Sequence, residues 1–150
     1  MIPFWGCDEA VSRWVASHID GCERGFGKCR ALGVSNGENI VAGVVYHNWH
    51  PEAEVIEMSA ASETKLWLTR PVLWEMFSYP FVGVGSQMVI LNVAADNEMW
   101  NGRGLKRLLK AYGFHGHYIP RLKGRDKDGL LFTLTDTAWR ANGFHRQNKV

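Results

Sequence analysis

The stretch EVIEMSAASETKLWLTRPVLWEMFSYPFVG, residues 54–83, decides how the rest of the chain is read. Glu54–Ala61 reads as a strand, Ser62–Thr69 as a short polar loop, and Arg70-Pro71 as the opening of a helix that runs to about Tyr79. Proline is well placed at a first helical position, because the N–H it lacks would have had no partner inside the helix. Thr69, just before it, has a hydroxyl that can accept from one of the free amides of the first turn. A strand that feeds a helix start in this way presents unpaired N–H groups at the positive end of the helix dipole, an arrangement suited to an anion such as a phosphate. Val72, Leu73, Met76 and Phe77 form the apolar stripe of the helix, and Pro80 is expected to end it.

Outward from this core, the N-terminal side reads as a helix followed by a meander. Asp8 to about His18 is amphipathic, with Val11, Trp14, Val15 and Ile19 at helical spacing and Asp8-Glu9 well placed at the N-terminus. Gly21, Gly25 and Gly27 then break regularity, and the loop holding Cys22, Glu23 and Arg24 is positioned to border a substrate. Arg30–Ser35 and Ile40–Trp49 are strands joined across Asn36-Gly37, a strong short-turn signal. Pro51-Glu52 turns the chain again into the strand at 54–61.

On the C-terminal side, Met88–Val93 is nearly all apolar, as a central strand buried on both faces should be. Ala94–Trp100 is a loop, and Asn101–Tyr112 a helix with Gly113 as its left-handed cap. One helix face carries Leu105, Leu108, Leu109 and Tyr112, the other Arg103, Lys106, Arg107 and Lys110. Phe114–Ile119 and Leu130–Thr135 are strands separated by a charged turn region, Pro120–Gly129, and a short helix follows through Trp139. The order α–β–β–β–α–β–α–β–β describes a mixed α+β domain, a mostly antiparallel sheet flanked by helices.

The 150 residues suffice for one domain with a proper core. A hydrophobic content of 46% with 21% charged residues excludes a disordered chain. The net charge of +2 points to no strongly charged partner. Cys7, Cys22 and Cys29 contain no C-x-x-C pair and read as free thiols in a reducing compartment. The N-terminus lacks the pattern of a signal peptide, and no apolar run is long enough to span a membrane, so a cytoplasmic location is expected. His47 and His50 end one strand, and His115 and His117 share a face of another, but no Cys or acidic residue completes a metal set at a telling spacing. No metal is expected.

This order of elements, with three local features, resembles the GNAT superfamily of N-acetyltransferases. The features are the strand–loop–helix at 54–83; the strand Met88–Val93 followed by Ala94-Ala95-Asp96-Asn97 and a helix ending Tyr112-Gly113-Phe114; and Lys65-Leu66-Trp67-Leu68-Thr69-Arg70 with Tyr79-Pro80-Phe81. The last is similar to a GNAT subgroup common in phages and prophages. The resemblance covers residues 8–145 as architecture and 62–81 and 93–114 as motif. It implies a GNAT-like acyl-CoA N-acyltransferase fold, acetyl-CoA as cosubstrate, and a small-molecule or protein amine as acceptor, with a homodimer admitted. Two departures stand out. The family's phosphate loop is normally glycine-rich, whereas Ser62–Thr69 has no glycine. The family's helix tyrosine has no clear match, since Leu108 lies near its place and Tyr112 one turn later.

Acyl transfer to an amine needs a grip on the pyrophosphate, a donor to the thioester carbonyl, a base to keep the amine neutral, and a proton for the leaving thiolate. By resemblance, Lys65, Leu66, Trp67, Thr69 and Arg70 would hold phosphates, and the backbone around Ser59, Ala60 and Ala61 would face the carbonyl. Asn97 or Asn101 would bond the pantetheine arm, Glu57 (with Glu54 next) would be the base, and Tyr112 the proton donor. His47, Trp49 and His50 would border the acceptor. Two other readings stay open at this level: a phage Mom-type nucleobase-modifying protein on the same scaffold, using Lys106, Arg107, Arg121, Lys123 and Arg125 along nucleic acid, and a non-catalytic GNAT-like binding module. The gap between the strands at 54–61 and 88–93 separates these possibilities.

Overall fold

A computed structural model describes residues 1–96 and 105–142. Seven strands form one sheet: β1 (Ile2–Phe4), β2 (Arg30–Ser35), β3 (Ile40–His50), β4 (Val55–Ser62), β5 (Met88–Ala94), β6 (His115–Gly124) and β7 (Lys127–Thr135). Their spatial order is β1-β2-β3-β4-β5-β7-β6. Every neighbouring pair is antiparallel except β4–β5, which is parallel. A parallel pair needs a crossover, and here it is supplied by α2 (Arg70–Ser78) and a π-helical turn (Tyr79–Val84). The other helices are α1 (Asp8–Ser17), α3 (described from Leu105 to Tyr112) and α4 (Asp136–Ala141).

The sheet separates two apolar clusters, and the period of two along its strands decides which residue serves which. On one face, Val45 of β3, Ala31 of β2 and Ala61 of β4 pack with Val11 and Val15 of α1. Gly43, two residues before Val45, lets α1 sit directly on the sheet: a Cβ there would lie 2.6 Å from a Val15 methyl. On the opposite face, Tyr46, Met58, Val89, Leu91, Phe132 and Leu134 pack with Val72, Met76 and Phe77 of α2, Leu109 and Tyr112 of α3, and Trp139 of α4. The Tyr46 hydroxyl donates to the Met76 carbonyl and ties β3 to α2. Because β3 is covered on both sides, it is buried without a break from Val41 to His47.

Several sequence expectations are refined. The N-terminal Ile2–Phe4, which has too few residues to show a period, adds an edge strand to β2. Thr69 caps α2 as expected, accepting from the Val72 amide at 3.4 Å. Pro80 does not stop the helical path; the chain widens into the π-turn and ends at Gly85, whose φ of 83° is left-handed. β5 is not fully buried on both faces: Val89 and Leu91 are buried, and the alternate residues are half-buried. The charged region 120–129 is no open turn, because β6 runs to Gly124 and β7 begins at Lys127. Between the pairs Ile119↔Gly129 and Gly124↔Lys127, β6 carries three more residues than β7 and bulges outward. Arg121, at φ 66°, sits in this bulge, where its amide donates to Asp128 Oδ1 at 2.9 Å.

Candidate active site

β4 and β5 pair over only three positions, Val55↔Met88, Ile56↔Val89 and Glu57↔Ile90. Beyond Glu57 the strands part. Met58–Ser62 continue beside β3, and Leu91–Ala94 beside β7, with no ladder between them. The sequence favours this opening, since Ser59-Ala60-Ala61-Ser62 carries only small side chains, and a backbone edge flanked by small residues leaves room for a ligand to approach. A cleft of about 1020 Å³ fills the gap and spreads over the α1 face of the sheet. Its walls are the two parted edges, the loop from His18 to Phe26, and Lys123 and Lys127 of the β6–β7 hairpin.

At the apex of the gap, Glu57 faces His47, its partner across β3–β4. A bulge sits beside them: after His47↔Glu57 the next pair is His50↔Val55, so β3 carries one extra residue, and Asn48 takes a φ of 52°. Such bulges re-aim side chains, and here Asn48 Nδ2 donates to Glu57 Oε1 at 3.0 Å. Glu57 Oε2 lies 3.9 Å from His47 Nε2, and that nitrogen is 2.9 Å from Ser59 Oγ. The Phe26 ring covers His47 at 4.9 Å between centroids. Burial lowers the pKa of His47 below its ordinary value, and the Glu57 charge only partly offsets this. The imidazole is therefore neutral at pH 7, and the contact with Glu57 is not an ion pair there.

At the wide end, His18 stacks on Trp14 at 3.8 Å, donates from Nδ1 to the Trp14 carbonyl, and places Nε2 3.1 Å from Glu63. The hydrogen bond to Glu63 raises its pKa, so His18 takes a proton more readily than His47. Cys22, also in the wall, has its thiol pushed up by burial; Lys123 opposes that shift and Glu57 reinforces it. All three cysteines are free thiols. Among the described residues there is no group of three or more His, Cys, Asp or Glu able to hold a metal, and no helix is long and apolar enough to cross a membrane.

The structure brings some of the sequence-derived site residues together and scatters others. Glu57, Ser59, Ala60, Ala61 and His47 line the cleft. Trp49 and His50 do not: they are exposed at the closed end, where His50 Nδ1 accepts from the Ala53 amide. Of the 62–70 segment, only Ser62 reaches the wall. Lys65, Leu66 and Arg70 are exposed, Thr69 is committed to capping α2, and Trp67 is buried in the core. Tyr112 is not at the cleft either. It is 5% exposed, stacked on Phe77 at 4.6 Å, and burial raises its pKa further above an already high value. Asn97 and Asn101 lie outside the described residues. Sequence reasoning missed Asn48, Phe26 and Lys127, and it gave Lys123 only to the nucleic-acid alternative, whereas the structure puts it in the cleft wall. The bulges that aim Asn48 and Lys123 are visible only as register shifts between strands.

The fit to acetyl-CoA is uneven along its length. The open β4 edge and its small residues suit a slender amide-bearing arm that pairs with backbone. The phosphate end is thinner: Pro71 has no N–H, the Val72 amide is taken by Thr69, and the loop contains no glycine. Lys65 in the loop and Arg70 at the helix start, both exposed, are the cations at that end.

No family model matches the sequence, and no curated protein matches it. Solved structures do match. A point variant of the spermidine N-acetyltransferase SpeG from Vibrio cholerae superposes with a TM-score of 0.70 at 12% identity, over 93% of this chain and 97% of that one. The same enzyme in complex with manganese ions gives 0.68 at 12% identity, over 94% and 96%. The fold is that of the GNAT acetyltransferases. A longer protein, provisionally assigned as an acetyltransferase, gives 0.64 at 14% identity over 79% of this chain, which spans 64% of that protein's length.

Proposed function

We propose that the protein is an acyl-CoA-dependent N-acyltransferase that moves an acetyl group directly from acetyl-CoA to an amine. The observation that carries this reading is the parting of β4 and β5 after Glu57↔Ile90, which leaves the β4 edge free toward a cleft of about 1020 Å³. A binding module with no cofactor has no need of such a gap. Acetyl-CoA, when bound, supplies the electrophilic carbonyl carbon and a thiolate leaving group.

The chain's own residues supply the rest. Backbone N–H groups on the free edge at Ser59–Ala61 are placed to donate to an oxygen lying in the gap, where a fixed donor stabilises developing negative charge. Glu57 Oε2, its partner oxygen held by Asn48, accepts the proton of an acceptor ammonium and frees the nitrogen lone pair. The new N–C bond forms as the C–S bond breaks, the acylated nitrogen gives up its second proton to solvent, and the departing thiolate takes one from solvent. His47 keeps the Glu57 side of the cleft uncharged apart from the carboxylate itself, and Ser59 fixes the ring. Phe26 restricts water at this end. Arg70 and the start of α2 take the phosphates through a charge-assisted contact.

A thiol-release assay with acetyl-CoA and a panel of primary amines tests the proposal. The expected result is amine-dependent release of free CoA with a stoichiometric N-acetyl product. Acetyl-CoA hydrolysis that no amine accelerates would reject it.

A further inference from the structure

We propose that the acceptor is a primary amine that also carries an anionic group, a carboxylate or a phosphate, with its nitrogen at Glu57 and its anion held by Lys123 with Lys127 beside it. This rests on the N-acyltransferase reading and specifies the substrate class of that same cleft.

The two lysines are there for a structural reason. The three-residue bulge in β6 lifts Lys123 out of the ladder at the hairpin, and Lys127 follows at its last pair. Leu122 packs down where a Cβ on Gly129 would be, 2.8 Å from the Leu122 Cβ, so the bulge lies over the sheet face that holds the cleft. Both lysines line that cleft together with Glu57. Lys123 and Glu57 both act electrostatically on Cys22, one lowering and one raising its pKa, which places a cation and a carboxylate within reach of one thiol.

No described carboxylate lies within ion-pair distance of Lys123 or Lys127. The hairpin carries two acids, Asp126 and Asp128; Asp128 is engaged by the Tyr118 hydroxyl and the Arg121 amide, which holds its carboxyl below the usual range. Asp20 and Asp96 also line the cleft, so the pocket is mixed in charge. A polyamine has no group for the lysines and would meet repulsion there. An amine bearing an anion answers both signs.

The test compares γ-aminobutyrate, phosphoethanolamine, n-butylamine and spermidine as acceptors for the wild type, Lys123→Ala and Lys123→Arg. One or both anionic amines should exceed n-butylamine and spermidine in kcat/KM by about tenfold or more, the low end for a charge-assisted contact. The carboxylate and phosphate probes separate the two sources of anion. Lys123→Ala should erase that preference through KM, and Lys123→Arg should restore much of it. Preference for spermidine or n-butylamine would overturn the proposal. So would a Lys123→Ala variant whose KM for acetyl-CoA rises with every acceptor, which would put the lysine on the cosubstrate's phosphates. If no amine turns over, calorimetry on the acetyl-CoA-loaded protein decides: anion-dependent binding of the first two probes supports the inference, and its absence rejects it. Failure to bind acetyl-CoA itself would instead reject the acyltransferase reading.

Discussion

Glu57→Gln is the substitution that most sharply separates the chemical role of this carboxylate from a structural one. The change is isosteric. A glutamine carbonyl can still accept from Asn48 Nδ2, now 3.0 Å from Oε1. No ion pair is lost at neutral pH, because burial keeps His47 neutral at its 3.9 Å distance. Stability should therefore change by less than about 1 kcal/mol, the range of an exposed or half-formed charge contact. The rate should respond very differently. A positioned general base contributes roughly 10²- to 10⁴-fold, or about 3–5 kcal/mol of activation free energy. The variant should lose that much of kcat/KM at pH 7, where a free amine acceptor is almost entirely protonated. The deficit should shrink as pH rises toward the amine's own pKa of about 10, because an acceptor already neutral needs no base. Thiol release followed from pH 6.5 to 10 gives the profile, and a melting curve gives the stability control. A variant within threefold of wild type at pH 7, with an unchanged melting temperature, would refute the assignment.

The two cleft histidines should push stability in opposite directions with pH. His47 has a folded pKa below its ordinary 6.5, so the unfolded chain binds more protons in that window, and its contribution is lost as pH falls through 6.5 toward the lowered value. His18 has a folded pKa above 6.5, so its contribution is present below 6.5 and lost as pH rises through the raised value. Urea unfolding from pH 5 to 8 of His47→Gln and His18→Gln should flatten the acid and the near-neutral parts of the profile respectively; identical profiles for both variants would contradict this. Gly43→Ala should cost about 1–3 kcal/mol by overpacking, since its Cβ would meet Val15 at 2.6 Å and Val11 at 3.0 Å. At about 2–4 °C per kcal/mol for a chain of this size, a scan should register the drop, and an unchanged midpoint would show that α1 shifts freely. Tyr112→Phe should keep kcat within about twofold, because the ring is core packing against Phe77; a hundredfold loss would return it to the chemistry.

What could be read from the chain follows from what each signal depends on. Helical spacing of Val11 and Val15, the Asn36-Gly37 turn and the Thr69-Arg70-Pro71 helix start are local, and the corresponding elements stand where the periodicities place them. The mixed, mostly antiparallel sheet follows from the order of those elements, whereas the parting of its central strands shows only in the ladder, which ends at Glu57↔Ile90. Features that depend on register were hidden. The bulge that turns Asn48 toward Glu57 and the one that lifts Lys123 over the cleft involve residues with no distinctive type. Trp67 and Tyr112 carry polar atoms and lie near motif positions, yet the demand for apolar volume between sheet and helices draws both inward. His47 and His50 look equivalent in sequence. The bulge between them leaves one buried in the cleft and the other exposed at its closed end.

Calorimetric titration of the protein with acetyl-CoA tests the central claim most directly, because the parted strands have no other stated use. The account predicts saturable binding of one acetyl-CoA per chain, weakened by Arg70→Ala at the phosphate end. No heat and no saturation at millimolar acetyl-CoA would contradict it.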